Sequence, residues 1–168
     1  MQIFIRPPNI ADTPQFVASV KASRKLHKPY TSPPDTPEKF AAYLDRTTQP
    51  NFCGLLVCGC DDAGVEQFIG GINISNIIRG PLQSAFIGYQ AFAGFNGSGL
   101  MTVGLNLAVQ HAFKKLKLHR IEANIQPSNI ASIALARRCG FTQEGFSPRY
   151  LKLGGKWCDH ERWAIVRD

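Results

Sequence analysis

The sequence has 168 residues, 44% of them hydrophobic and 18% charged, which is enough apolar material for one domain with a buried core. No stretch reaches the roughly 18 uninterrupted apolar residues of a membrane span. The opening MQIFIRPPNIAD lacks the basic segment and apolar run of a secretory signal. These features predict a single cytoplasmic domain, residues 1–168, with no membrane partner.

The net charge of +7 is concentrated in the second half of the chain. Residues 1–103 carry eight Lys/Arg and seven Asp/Glu, whereas residues 104–168 carry eleven and five. A basic surface favours an anionic ligand or acidic partner, although nucleic-acid binding and ordinary solubility remain alternatives. The five cysteines are odd in number and predict free thiols, and CGLLVCGC has no second ligand pair, so no metal site is predicted.

The first half of the chain predicts two helices and four strands. An edge strand at 2–6 precedes a helix at 10–27 and a proline-rich connection at 28–40, which is typical of a cleft rim. Asp35 or Thr36 caps a second helix that ends near Arg46. Three strands follow, at 51–60, 66–77 and 84–92, and the first two form a hairpin.

The second half begins with a long amphipathic helix and an alternating strand. One helical face is formed by Leu105, Ala108, Val109, Ala112, Phe113 and Leu116. In the strand LHRIEANIQP the apolar side chains point one way, and Arg120, Glu122, Asn124 and Gln126 point the other. This strand and the preceding one are expected to be parallel, with the long helix as their crossover.

A short helix and two strands complete a mixed α/β fold. The helix, within residues 128–140, is capped by Ser128 or Asn129 and ends at Gly140. The strands, at 141–153 and 156–166, flank a Gly-Gly turn.

The stretch FNGSGLMT places two glycines directly before the long helix. Unpaired N–H groups at a helix N-terminus, added to the helix dipole, form an anion site. Gly97 and Gly99 let the backbone approach a phosphate closely. No lysine follows, which excludes a P-loop, and the dinucleotide fingerprint lacks its third glycine. A simple capping turn remains the alternative.

Four segments in order, GSGLMT, LHRIEANIQPSNIASIALARRCGF, EG and GKWCDHERW, resemble the GNAT acetyltransferase superfamily over about residues 86–165. The similarity is closest to RimJ/RimL-like ribosomal-protein N-terminal acetyltransferases. It implies an α/β (α+β) fold with a mixed, mostly antiparallel sheet of six to seven strands, a splayed central parallel pair, and helices on both faces.

The same resemblance implies acetyl-CoA as the co-substrate and assigns residues to it. The pantetheine arm would run beside Tyr89, Gln90 and Ala91, and Asn129 would hold it. The pyrophosphate would lie on the turn formed by Asn96, Gly97, Ser98, Gly99, Leu100, Met101 and Thr102. Val103 and Gly104 depart from the family pattern, because an acidic residue usually follows the MT pair.

Two residues are candidates for the chemistry. Ser132 is expected near the thioester sulfur as the acid for the departing thiolate, and Glu122 is expected beside the cleft as a base acting through water. The alternatives are an ion pair with Arg120 for Glu122 and a helix hydrogen bond for Ser132. His119 and His160 are expected to be structural.

The resemblance therefore predicts an N-acetyltransferase whose acceptor is an amine, favoured to be a protein N-terminus such as that of a ribosomal protein. A small-amine acetyltransferase for polyamines or aminoglycosides, a non-catalytic CoA-binding module and a basic RNA-associated protein are the alternatives. A homodimer is left open, since some small enzymes of this kind pair.

Overall fold

The computed structural model describes residues 1–167, folded around one seven-stranded sheet. The strands are β1 (Gln2–Arg6), β2 (Phe52–Cys60), β3 (Glu66–Ile78), β4 (Ser84–Ala91), β5 (Arg120–Ile125), β6 (Thr142–Leu153) and β7 (Lys156–Val166). The helices are α1 (Thr13–Ala22), α2 (Arg24–His27), α3 (Pro37–Thr47), α4 (Leu100–Lys114) and α5 (Ile130–Arg138). The strand order β1-β2-β3-β4-β5-β7-β6 confirms the predicted fold class.

The parallel pair β4 and β5 diverges along its length. Pairing is confined to Ser84–Phe86 of β4 and Arg120–Glu122 of β5, and the neighbouring strands all pair antiparallel. Beyond those residues β4 continues to Ala91 and β5 to Ile125 without pairing to each other. The sheet is therefore open at its centre, as predicted.

Helices cover both faces of the sheet and create two apolar clusters. α4 and α5 pack on the cluster that contains Ile72, Leu105 and Ile121. α1 and α3 pack on the other face, where Phe16 and Phe40 stack with ring centroids 4.4 Å apart. Because the β5 residues Ile121, Ala123 and Ile125 belong to the α4 side, the alternating residues Glu122 and Asn124 face the other way.

Gly104 allows α4 to lie close to the sheet. A Cβ built at Gly104 would lie 2.5 Å from Val57 Cγ1 and 2.8 Å from its Cγ2, and Val57 is fully buried. The departure from the family pattern at this position is thus matched by a close helix–strand contact.

One predicted element differs from the structure. The helix expected over 10–27 is a short 3-10 turn, Ile10–Asp12, followed by α1 and α2, which are separated at Ser23. The Ser23 hydroxyl donates to the Ser19 carbonyl at 2.6 Å and accepts from the Ala93 N–H at 2.8 Å. This contact with a residue seventy positions away ties the break to the end of β4, and no local sequence pattern reveals it.

Two further predictions on the chain, the cap of the second helix and the free thiols, are confirmed. Thr36 is the cap of α3, its hydroxyl accepting from Lys39 N–H at 3.3 Å, and all five cysteines are free thiols. Across residues 1–167, each helix is too short or too polar to cross a bilayer.

Candidate active site

The opening between β4 and β5 leads into a cleft of about 990 Å³. Its walls include Ile87 to Ala91 of β4, Ala123 to Ile125 of β5, the turn Phe95 to Gly99 and one side of α5. Tyr89 and Gln90 are consecutive strand residues on opposite faces of the sheet, and both line it. The cleft therefore passes through the sheet from one face to the other.

The turn before α4 exposes a set of backbone donors. Gly97 and Gly99 have φ angles of +76° and +82°, a region that glycine enters without steric cost, and Gly99 is the N-cap of α4. Across residues 1–167, the N–H groups of Asn96, Gly97, Gly99 and Met101 have no protein acceptor. Ser98 N–H is bonded within the turn, to the Phe95 carbonyl at 3.3 Å, and Thr102 N–H donates to the Gly99 carbonyl at 3.0 Å. These free donors at a helix N-terminus have the geometry of an anion site.

Most of the residues predicted to hold the cofactor line this cleft. They are Tyr89, Gln90, Ala91, Asn96, Gly97, Ser98, Gly99, Met101, Thr102 and Asn129. Leu100 is the exception, because its side chain packs against the α4-side core and is absent from the cleft wall. Its N–H donates to the Ser98 hydroxyl at 3.3 Å, so Leu100 shapes the turn from behind.

The cleft-facing edge of β4 is free where the arm of a cofactor was predicted. From Gly88 to Ala91 the strand pairs with β3 on one side and with no strand on the other. The Ala91 carbonyl accepts a hydrogen bond from His27 Nε2 at 2.8 Å. An extended ligand could therefore add to β4 as a further strand along its open edge.

Ser132 and Tyr89 form a hydroxyl pair on the α5 side of the cleft. The Ser132 hydroxyl donates to the Tyr89 oxygen at 3.0 Å, and the Tyr89 hydroxyl donates to the Ser132 carbonyl at 3.0 Å. Burial raises the pKa of Tyr89 to about 12, so the phenol stays protonated at neutral pH. Asn129 caps α5 through its Oδ1, which accepts from Ser132 N–H at 3.3 Å and fixes the first turn of the helix.

The structure corrects the predicted placement of Glu122. This residue lies opposite Phe86, where β4 and β5 are still paired, and it does not line the cleft. Its carboxylate accepts from Arg120 Nε at 2.7 Å, and Arg120 also pairs with Glu144. The expected alternative, an ion pair with Arg120, is the arrangement that the structure contains.

Several polar residues of the cleft were not predicted as site residues, among them His27, Tyr30, Asn124 and His160. Asn124 was recognised on the polar face of β5, and the proline-rich connection that carries Tyr30 was predicted as a rim. The Tyr30 hydroxyl donates to the Ser128 carbonyl at 3.1 Å, which closes that rim against α5. His27 and His160 carry no local signal, because their place depends on strand and helix packing.

The comparison with known proteins now decides the family. A model described as acetyltransferase (GNAT) domain matches residues 2–142. The chain belongs to the GNAT acetyltransferase family. This match confirms the predicted family. It also agrees with the predicted class of enzyme, an N-acetyltransferase that uses acetyl-CoA.

Two relatives share sequence with part of this GNAT chain. Over 108 residues, 64% of the chain, it is 43% identical to a probable N-acetyltransferase, YjcK, of Bacillus subtilis (strain 168). Over the same length it is 36% identical to the [ribosomal protein uS5]-alanine N-acetyltransferase of Escherichia coli (strain K12). The matched segment spans only 60% and 56% of these two proteins.

Two solved structures share the fold of this GNAT chain over nearly its whole length. Mycobacterium smegmatis RimJ in complex with CoA-disulfide is 27% identical, with a TM-score of 0.86 over 98% of this chain and 81% of that one. Ribosomal-protein-S5-alanine acetyltransferase from Vibrio fischeri is 25% identical, with a TM-score of 0.87 over 100% and 94%.

Proposed function

We propose that this protein transfers the acetyl group of acetyl-CoA to a protein N-terminal α-amine, with the N-terminus of a ribosomal protein as the favoured acceptor. One observation carries the proposal: four unpaired backbone N–H groups and the open edge of β4 line the same cleft. A molecule with a diphosphate at one end and an extended amide-containing arm fits both features.

The residues of the turn would bind the diphosphate through the backbone. The free N–H groups of Asn96, Gly97, Gly99 and Met101 supply the donors, and the Thr102 hydroxyl adds one more. Val103 does not affect this contact, since its side chain is 45% exposed and lies outside the cleft. The CoA in the RimJ structure, a neighbour with the same fold, supports this choice of ligand.

The pantetheine arm would pair with the open edge of β4 at Tyr89 to Ala91, held from the α5 side by Asn129. The thioester would then lie between β4 and β5, close to Ser132. As the amine nitrogen attacks the acetyl carbon, the C–N bond forms and the C–S bond breaks. The Ser132 hydroxyl, which donates its one proton to the Tyr89 oxygen, would turn that proton to the sulfur as negative charge develops there.

The charge of the cleft separates the classes of acceptor. Within the described residues no Asp or Glu lines the cleft, and Arg138 is its one permanently charged side chain. A polyamine with several positive charges gains no carboxylate partner here, which favours an acceptor with a single amine. The E. coli and V. fischeri relatives, named for alanine of ribosomal protein S5, support a protein N-terminus.

Acid–base arithmetic also favours an α-amine. An α-amine with a pKa near 8 costs about 1.4 kcal/mol to deprotonate at pH 7, whereas a lysine near 10.4 costs about 4.6 kcal/mol. A cleft without carboxylates is suited to the smaller of these two demands.

We further propose that the whole chain acts as one catalytic domain. The matched residues 2–142 end at the first residue of β6, and β7, which lies beyond them, pairs with β5 to complete the sheet beside the cleft. The cytoplasmic location and the homodimer stay predictions.

Calorimetric titration with acetyl-CoA, followed by thiol-release assays on N-terminal peptides, lysine peptides and spermidine, tests the proposal. We expect a single cofactor site and turnover highest on an alanine- or serine-initiated peptide. Turnover confined to spermidine would move the assignment to a small-amine acetyltransferase. Cofactor binding without turnover on any amine would leave a CoA-binding module.

A further inference from the structure

His160 is a buried histidine of the cleft wall to which the proposed reaction has not yet given a role. It lies in β7, and only 2% of its surface is exposed. Its Nδ1 lies 2.9 Å from the carbonyl oxygen of Cys158. Because a carbonyl only accepts, Nδ1 carries the proton, and the neutral ring keeps its lone pair on Nε2.

The lone pair of His160 Nε2 is free to accept a proton. Within residues 1–167, Nε2 has no hydrogen-bond partner. The side-chain N and O atoms that are both fully enclosed and without a partner are His27 Nδ1 and Asn124 Oδ1. His160 Nε2 is not one of them, so this nitrogen is not fully enclosed by protein atoms. The accessible edge of the imidazole is therefore the edge with the unprotonated nitrogen.

His160 and Ser132 lie on opposite faces of the sheet. Arg162 is the register partner of Asn124, so these two share the face that points away from α4 and α5. His160, two residues before Arg162, lies on the same face, whereas Ser132 belongs to α5. A thioester in the opening would have Ser132 on one side and His160 on the other.

The other titratable groups near the cleft are less suited to accept a proton. Glu122 is outside the cleft and paired with Arg120. His27 uses Nε2 to bond the Ala91 carbonyl, and its Nδ1 is completely enclosed. Tyr30 donates to Ser128, and the pKa of Tyr89 is raised by burial.

The two carboxylates that flank His160 in the sequence are engaged elsewhere. Asp159 accepts from the Arg149 N–H at 2.7 Å, and Glu161 accepts from Trp163 Nε1 at 2.9 Å. The Arg162 guanidinium lies where a Cβ on Gly145 would be, and the Tyr150 ring is edge-on to the imidazole at 6.2 Å.

We propose that His160 is the catalytic base of the acetyl transfer, its Nε2 taking the proton that the acceptor amine loses. The C–N bond forms as this proton moves to Nε2, the C–S bond breaks, and the imidazolium returns its proton to solvent. The thiolate is protonated from solvent after Ser132 has stabilised it. This inference rests on the proposed acetyl transfer to an amine.

The test compares His160→Asn with His119→Asn, which makes the same change at an exposed position outside the cleft. Asparagine keeps an N–H that can reach the Cys158 carbonyl but has no basic nitrogen. We expect His160→Asn to lower kcat/KM for an alanine-initiated peptide about 100-fold or more, with loss of the histidine limb of the pH–rate profile. Acetyl-CoA affinity should stay within a few-fold, and His119→Asn should match the wild type.

A pH–rate limb that persists in His160→Asn would overturn the proposal. Should that variant fail to fold, His160→Gln and nitrogen-15 NMR of the wild-type histidines provide the test. We expect the Nδ1-protonated tautomer for His160, and a shift of its Nε2 signal, but not that of His119, when CoA and the peptide bind together. The Nε2-protonated tautomer, or no shift in that complex, would also overturn it. If the wild type acetylates no amine, the proposed acetyl transfer is wrong. The tautomer of His160 is measured independently of that result.

Discussion

Two parts of the cleft are built from different materials. At the turn Asn96 to Thr102, the groups proposed to bind the ligand are backbone N–H groups without a protein acceptor. Between β4 and β5, they are side chains from separate elements, with Ser132 on α5, Asn124 on β5 and His160 on β7. The first part should keep its function when a side chain is replaced and lose it when bulk is added to the backbone. The second part should lose its function when a side chain is replaced.

The largest effect is expected where bulk is added to the backbone-built turn. Gly97→Val should weaken acetyl-CoA binding by about 100-fold or more, because a β-branched residue resists the φ of +76° and its side chain would occupy the approach to the donors. Isothermal titration calorimetry measures the loss. No protein atom lies within 4 Å of a Cβ built there, so the effect is not a clash within the fold.

Gly80→Val is the matched control for Gly97→Val. Gly80 has a φ of +69° and equally open surroundings, but it lies in the turn between β3 and β4. It should lose stability and keep its affinity for acetyl-CoA. Equal affinities in the wild type and both variants would mean that the phosphates bind away from this turn.

Removing a hydroxyl from the side-chain-built part should change rate and leave binding intact. Ser132→Ala should lower turnover about tenfold to hundredfold, because the developing thiolate loses its donor, while acetyl-CoA affinity stays within a few-fold. Thiol-release kinetics at saturating acetyl-CoA and calorimetry separate the two quantities. Ser19→Ala, a hydroxyl on α1 away from the cleft, should change neither.

An unchanged turnover number in Ser132→Ala would remove this residue as the donor to sulfur. Tyr89, which shares its hydrogen bond, would then be the next group to examine by Tyr89→Phe.

A third change probes the packing that positions the turn. Alanine is about 1 kcal/mol better than glycine inside a helix. Gly104→Ala should nevertheless lower the free energy of unfolding by about 1–2 kcal/mol, because the new Cβ would lie 2.5 Å from Val57 Cγ1. Urea unfolding measures it, and Asn106→Ala on an exposed part of α4 is the control.

The same substitution should cost less when Val57 is already alanine. A double-mutant cycle with Val57→Ala therefore separates the clash from other effects. A Gly104→Ala variant that is more stable than the wild type would show that α4 can move away from β2 freely.

The turn and the side-chain part of the cleft also differ in how well the sequence predicts them. Local features predict the turn, because two glycines and the start of an amphipathic helix are visible in the sequence around Asn96 to Thr102. They also predict the crossover from β4 through α4 to β5, which the structure confirms.

The side-chain part of the cleft depends on where two strands stop pairing. Glu122 and Asn124 share one polar face in the sequence, yet only Asn124 lies past the last paired residues of β4 and β5. His160 enters the cleft because β7 pairs with β5, although α5 and β6 lie between these two strands in the chain. Periodicity contains neither piece of information, so it favours Glu122 as the base and His160 as a structural residue, whereas the arrangement of the strands supports the role proposed for His160.

The smallest expected effect concerns the residue that links the end of β4 to α2. Burial lowers the pKa of His27, and the Ala91 carbonyl opposes this only in part. The folded protein therefore keeps His27 neutral at pH values where the unfolded chain, with an ordinary histidine pKa of about 6.5, binds a proton. Stability from this group should be full above pH 6.5 and should decline as the pH falls through the lowered folded-state pKa, with a slope below the roughly 1.4 kcal/mol per pH unit of one whole proton.

Urea unfolding at pH 7.5 and 5.5 should show a smaller decline in the free energy of unfolding in His27→Gln than in the wild type. His111, whose pKa burial also lowers, gives a slope of the same sign in both proteins and so cancels from the comparison. If the two proteins show the same pH dependence of stability, His27 binds a proton as readily in the folded protein as in the unfolded chain. The hydrogen bond from a neutral His27 imidazole to the Ala91 carbonyl would then not stabilise the open end of β4 at neutral pH.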